Sequence, residues 1–403
     1  MAKNKTFSLS KTIFLSILMC FLGFLIAFVG FGYYYLPKSD DFSGTYFVAQ
    51  STTKGNLISL ADDLKTENFA IHFIEPGTYN AGDIVYIKAG TNDILIDSGA
   101  PSPLTRQKII TYLSQSDCMG EDKTIEYLIV THAHNDHYGD LTSSDSLFSY
   151  YEFKTIIDFS CTNQKLQTAS GNPTTYAKYL SNVQNEVAEG AVHYTAKECI
   201  EQTNGAKTTY NLAQNIQMEI LYNKFYFENS PDENNHSVCT MFTNGGSKYL
   251  FTGDLEEDGE KALVDHYATD ADIFENVILY KAGHHGSKTS SSEYLLSKVK
   301  PKISVAMCCA GSTEYTTDKA NTFPTQKYID NISKYTDMVY VPSICTTPGE
   351  KDFESLCGDI VIISNNKGIS VAGTKETIKL KDSNLFVDFD KYGKTLPENW
   401  KAA

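Results

Sequence analysis

Two mixed β-sheets with helices over their outer faces, behind a single N-terminal membrane-spanning helix, form the α/β fold that this sequence predicts. Three observations carry the expectation. Strand-like and helix-like apolar patterns run from residue 69 almost to the end, first as a meander and then alternating. Residues Thr12–Leu36 form an uncharged run of 25 preceded by Lys3, Lys5 and Lys11. Hydrophobic residues make up 41% of the 403, with only 11 prolines, which excludes a disordered or low-complexity chain and supplies a sizeable core.

The uncharged run is longer than the roughly 7–15 residues of a secretory signal's apolar region. It ends in Tyr33-Tyr34-Tyr35-Leu36-Pro37 where a small-residue cleavage site would stand. The lysines favour an inside amino terminus and the tyrosines fit an interfacial belt. The expected organisation is a cytoplasmic tail (1–11), a signal anchor (12–36), a linker (37–67), a large α/β domain (68–375) and a C-terminal extension (376–403). The domain is then extracellular on a single-pass membrane protein; a cleaved signal peptide is the alternative.

Along the domain, Phe69–Ile74, Ile84–Lys88 and Asp93–Asp97 read as strands, the last two joined as a hairpin around Gly90-Thr91-Asn92. Pro103–Leu113 reads as a helix and Ile125–Thr131 as a buried strand. Thr155–Phe159 is a strand and Thr174–Val187 a helix. Ile216–Tyr222, Ser237–Asn244 and Lys248–Thr252 are strands, the last pair turning at Gly245-Gly246. Asn276–Lys281, helix Ser291–Val299, strand Ile303–Cys308 and helix Pro324–Tyr335 follow. Gly358–Ser364 and Gly368–Gly373 close as a hairpin, and the pattern leaves Lys375–Ala403 undecided between an edge strand and a frayed end.

The formal net charge is −15, and residues 1–38 hold four lysines and no carboxylate, so the domain is more acidic than the whole. Long nucleic acid is therefore a disfavoured partner, because phosphate neutralisation by Lys and Arg dominates such binding. Arg106 is the only arginine, so anion handling falls to lysine, backbone amides or metal. The cysteines show no CxxC and no disulfide framework; Cys345 and Cys357, flanking a polar loop, are the one candidate pair.

The segment most informative for chemistry is Thr131-His132-Ala133-His134-Asn135-Asp136-His137, directly after a buried strand. His132 and His134 share one side of an extended segment, while Asp136 and His137 fall on the turn into a helix. Imidazole and carboxylate at this density suit zinc or another borderline divalent ion. Three further strand ends carry Asp or His: Asp97 after Ile94-Leu95-Ile96, Asp254 in Phe251-Thr252-Gly253-Asp254, and His284-His285 after Val277–Gly283. A lone strand-end Asp is more often a turn residue; four such ends look like one edge gathering a site.

The order Asp97 … His132-x-His134-x-Asp136-His137 … Gly253-Asp254 … His284-His285-Gly286-Ser287 resembles the metallo-β-lactamase superfamily of metal-dependent hydrolases. Within it, Gly283-His284-His285-Gly286-Ser287 with Thr289-Ser290 resembles the hydrolase domain of ComEC-type competence proteins. The likeness spans about residues 69–373. It implies a four-layer αβ/βα sandwich with two divalent ions at the sheet edge, Zn2+ first and Mn2+ second. His132, His134 and Asp254 would hold one ion, and Asp136, His137, Asp254 and His284 the other, with Asp97 orienting the cluster. Asn235 and Ser237 stand where ComEC-type relatives carry Asn and Ser, and the resemblance makes both candidate substrate contacts. Two departures stand out. No histidine replaces the further ligand of many members, His193 and His236 being the weak candidates. Phe323-Pro324 stands where relatives show His-Pro.

Two such ions would lower the pKa of a shared water and polarise a phosphoryl or carbonyl oxygen. Asp136 is then ligand and candidate proton acceptor, His285 the candidate donor to the leaving group, and Ser287 and Lys288, with Lys281, candidate anion contacts. Three readings compete: a phosphodiesterase acting on small or cell-surface phosphodiesters, a hydrolase of β-lactams, lactones or thioesters, and a non-catalytic metal-binding surface protein. The His-His-Gly-Ser element favours the first.

Overall fold

The computed structural model describes residues 57–58 and 69–401 apart from 116–117, 271 and 366–367. The expected anchor at 12–36 lies outside the described residues. Among those described, no helix is long and apolar enough to cross a membrane.

The larger sheet has the order β1 (Leu57–Ile58), β19 (Gly368–Gly373), β18 (Ile360–Asn365), β2 (Phe69–Phe73), β3 (Val85–Ala89), β4 (Asn92–Ile96), β5 (Thr124–Ile129), β6 (Glu152–Asp158), β7 (Val192–Thr195). The second has β15 (Val339–Tyr340), β13 (Ile303–Val305), β12 (Val277–Lys281), β11 (Ser247–Phe251), β10 (Cys239–Asn244), β9 (Ile216–Leu221), β8 (Thr209–Ala213). A small third sheet joins β14 (Cys309–Ala310), β16 (Ser343–Cys345) and β17 (Phe353–Ser355). Both large sheets are mixed. The first turns from antiparallel to parallel between β4 and β5, and the second between β11 and β12. Those two junctions position everything that follows.

Alternation along β2 builds the layers. Phe69 and Phe73 face the second sheet, where their rings lie 4.9 Å from Tyr249 and 6.2 Å from Phe251. His72 points the other way onto the helix Pro103–Leu113, with its Nδ1 2.8 Å from the Tyr112 hydroxyl. On the far face of the second sheet, Met241, Leu250 and Tyr280 form one core with Leu263, Leu295 and Ile329 of the helices Glu257–His266, Glu293–Val299 and Gln326–Ile332. The result is the helix–sheet–sheet–helix layering the resemblance implies.

His72 gives a stability prediction. Burial lowers its pKa from 6.5 to about 3, so the unfolded chain takes up a proton that the folded chain refuses. Stability is therefore full above pH 6.5 and falls as the pH drops toward about 3 by up to about 1.4 kcal/mol per pH unit. Urea unfolding of His72→Phe is expected to show a shallower acid slope; an unchanged slope counts against a neutral buried His72.

Some elements depart from the sequence reading. The linker is not wholly a tether, since Leu57–Ile58 pairs with β19 at the sheet edge. β7, β8 and the helix Glu257–His266 escaped notice, because short or charged segments carry weak periodicity. The C-terminal stretch is neither an edge strand nor frayed through its described length. Leu380, Leu385, Tyr392 and Trp400 are buried in the second core, and the Trp400 indole donates to the Thr336 carbonyl at 2.8 Å. Cys345 and Cys357 are both free thiols, as are the other described cysteines, so the suggested pair is withdrawn.

Candidate metal centre

Parallel neighbours end at the same sheet edge, so the β4–β5 and β11–β12 junctions bring four strand ends together. Asp97 follows β4, the His132–His137 segment follows β5, Asp254 follows β11 and His284-His285 follow β12. The hairpin β3–β4 adds a fifth contributor. Val85 pairs with Ile96, so the residues just before β3 lie beside those just after β4. That register places Asp83 in the same cluster, a residue the sequence reading did not single out.

Asp97 is fully buried and accepts from the Thr131 amide at 2.8 Å and the Thr131 hydroxyl at 2.7 Å. Its Oδ2 also lies 2.7 Å from His137 Nδ1, which aims the opposite nitrogen of His137 at Asp254 Oδ2, 3.1 Å away. A carboxylate behind an imidazole fixes its orientation in this way at metal sites. Asp254 Oδ2 is the common point. His285 Nε2 is 3.4 Å from it, and His132 Nε2 and His284 Nε2 are each 4.0 Å from it. Asp136 Oδ2 stands 3.2 Å from His285 Nε2 and 4.0 Å from His137 Nε2. His134 Nδ1 closes the cluster from the other side, 3.0 Å from His132 Nε2.

Of the adjacent pair, His285 lies deeper in the cluster, while His284 reaches Asp254 Oδ2 at the same 4.0 Å as His132. His285 is buried, whereas the His284 side chain is 23% exposed and has Nδ1 3.6 Å from Glu256. Both take left-handed backbone conformations, φ 47° and 55°, which turn the two rings to different sides. His284, expected as a ligand, and His285, expected as a proton donor, thus both face Asp254 Oδ2, with His285 the nearer.

Ser237, expected among the substrate contacts, is wholly buried; it accepts from the Asp254 amide at 3.0 Å and lies 3.4 Å from His132 Nδ1. It supports the cluster from behind. Asn235 and Lys288 line an open cavity of about 400 Å³ with Glu256, Glu257, Asp258 and Lys327. Ser287 is turned inward to Thr289, with 2.9 Å between the hydroxyls. His193 pairs with Asp158 at 2.8 Å, and His236 Nε2 accepts from the Ser230 amide at 3.1 Å. Both histidines are thus engaged elsewhere.

Lys281, buried at the end of β12, contacts Asp83 directly, lies 3.5 Å from Asp254 Oδ1 and donates to the Gly253 carbonyl at 3.2 Å. Burial opposes its charge, but Asp83 and Asp254 outweigh that and raise its pKa. Burial likewise disfavours the charged form of Asp254, yet the surrounding imidazoles and Lys281 hold its pKa well below the usual carboxylate range.

This donor set fits divalent metal. Asp83, His137, Asp254 and His285 each offer an atom, and these atoms lie within 4.8 Å of one another. Asp83, Asp97, Asp136 and Asp254 crowd around the same imidazoles and Lys281. Such charges persist only when paired or metal-bound.

Sequence comparison points to the same class: residues 77–151 match the metallo-beta-lactamase superfamily. That match spans Asp83, Asp97 and the whole His132–His137 segment, and the two mixed sheets have the layering that the resemblance implied. One of the matched relatives is a competence protein. The chain is 23% identical over 267 residues to ComE operon protein 3 of Bacillus subtilis, covering 58% of this chain and 29% of that protein. It is 40% identical over 75 residues to competence protein ComA of Neisseria gonorrhoeae, covering 19% of this chain and 10% of that one. The chain thus spans less than a third of the length of these relatives. Among solved structures, the metallo-beta-lactamase fold protein YhfI from Bacillus subtilis aligns with a TM-score of 0.38 at 11% identity, over 69% of this chain and 97% of YhfI.

Proposed function

We propose that the protein is a membrane-anchored, binuclear-metal phosphodiesterase whose domain works outside the cytoplasm. The observation that carries this reading is the convergence of Asp136, His137, Asp254 and His285 beside His132 and His134, a donor set for two divalent ions that would polarise an anionic substrate. No guanidinium competes for that role, because Arg106 is spent on Asp140 at 2.7 Å and Asp145 at 2.5 Å. The likeness to competence proteins supports phosphodiester over carbonyl chemistry.

His132, His134 and Asp254 would hold one ion; Asp136, His137, Asp254 and His285 the other. The ions, zinc or manganese, would supply Lewis acidity and an acidified water. The chain's own residues do the rest. Asp97 locks the tautomer and aim of His137, and Ser237 pins Asp254. Asp136, with its side chain 20% exposed, stands at the mouth and can take a proton. His284, also at the mouth, is placed to pass a proton to a departing alkoxide, with Glu256 orienting its ring. Lys288 at the neighbouring cavity adds a positive charge for the substrate.

The test sets a generic phosphodiester beside a chromogenic β-lactam and a lactone. His134→Ala and Asp136→Asn are expected to lower phosphodiester turnover by about 10²-fold or more, and unchanged turnover in both would remove this site from the reaction. Turnover of the β-lactam or lactone alone would favour the carbonyl reading. For the anchor, protease shaving of intact cells should release the domain; full protection contradicts an outside location.

A further inference from the structure

The loop after β14 carries two aromatic residues over the mouth of the donor cluster. Tyr315 is 59% exposed, yet its hydroxyl lies 3.3 Å from Asp136 Oδ2. Its ring centroid is 5.4 Å from that of Phe323, which in turn packs 5.7 Å from His284 and 5.8 Å from His285. Phe323 holds the place where relatives would present a histidine, and the Tyr315 phenol stands beside it.

The loop is fastened at both ends. Glu314 accepts from the Ala81 amide at 2.8 Å, and the Thr313 amide donates to the Tyr79 hydroxyl at 2.6 Å. These bonds tie Tyr315 to the segment that leads into Asp83. On the other side, Lys394 donates to the Ala320 carbonyl at 3.0 Å and the Thr322 carbonyl at 2.7 Å. A side chain held this firmly, with its ring left to solvent and its hydroxyl at the reaction mouth, is arranged for something that arrives from outside.

We infer that Tyr315 is a substrate-contacting residue: its phenol donates a hydrogen bond to a non-bridging oxygen of the bound phosphoryl group, and its ring forms with Phe323 an apolar wall for the leaving group. A phenol hydroxyl is a hydrogen-bond donor at neutral pH. A donor aimed at oxygen that gains charge in the transition state acts mainly on kcat, and the wall acts mainly on KM. The inference rests on the phosphodiesterase reading for its kinetics.

The test uses the full chain loaded with zinc. Wild type, Tyr315→Phe and Tyr315→Ala are compared for bound metal, melting temperature, hydrolysis of bis(p-nitrophenyl) phosphate, and inorganic phosphate affinity by calorimetry. Tyr315→Phe is expected to lose roughly 10²-fold in kcat with little change in KM, and about tenfold in phosphate affinity. Tyr315→Ala should raise KM as well. Metal content and melting temperature should match wild type in both. Wild-type kinetics and phosphate affinity in Tyr315→Phe overturn the inference, as does a loss that tracks lost metal. If wild type cleaves no phosphodiester, the function proposed above fails, and phosphate affinity then decides alone: weaker binding by Tyr315→Phe keeps the contact, and equal or absent binding removes it.

Discussion

Asp254→Asn is expected to fold and to lose both bound metal and turnover, by more than the roughly 10–100-fold that removal of an outer-shell partner costs. The reason is its central position. One oxygen of Asp254 stands 3.1 Å from His137, 3.4 Å from His285 and 4.0 Å from each of His132 and His284. Asparagine keeps the shape and the bond from the Ser237 side, because that bond uses the backbone amide. It replaces a carboxylate with a neutral amide whose NH2 group cannot bind a cation. The measurement is metal content together with kcat/KM for a phosphodiester. Retention of both would show that the strand ends merely neighbour one another.

Lys281→Met should produce the largest change in stability. Lys281 is 1% exposed and its ammonium is the one lysine charge inside the cluster among the described residues, against Asp83 and Asp254. Methionine fills much of the same volume but leaves Asp83 buried without its cation. Breaking a buried pair in this way costs about 3–5 kcal/mol. Urea unfolding of the metal-free chain should show that loss. Saturating zinc should recover part of it, since an ion bound only to the folded state stabilises by mass action. A metal-free variant as stable as wild type would mean that Asp83 does not depend on Lys281.

The site's legibility follows from how its residues are encoded. Asp97, His132–His137, Asp254 and His284-His285 each end an apolar run, so a one-dimensional pattern exposes them. The helix Pro103–Leu113 was readable to both ends because Ser102 caps it and Pro103 opens it. Asp83 precedes a strand instead of ending one. Only the pairing of Val85 with Ile96 carries it to the same edge, although the predicted hairpin contained the information needed to look there. His284 and His285 are neighbours in sequence and part only through positive φ at both, which no side-chain pattern announces. Tyr315 lies in a loop without periodicity and reaches Asp136 across 179 positions of sequence. The C-terminal anchors Leu380, Leu385, Tyr392 and Trp400 are too irregularly spaced to read as helix or strand, yet they complete the second core.

Metal analysis of the purified chain, read beside its phosphodiester turnover, tests the account most directly. Two divalent ions per chain are expected, both removed by a chelator together with activity and both restored by zinc or manganese. Turnover that survives complete removal of metal, or a fully folded chain that binds none, would contradict it.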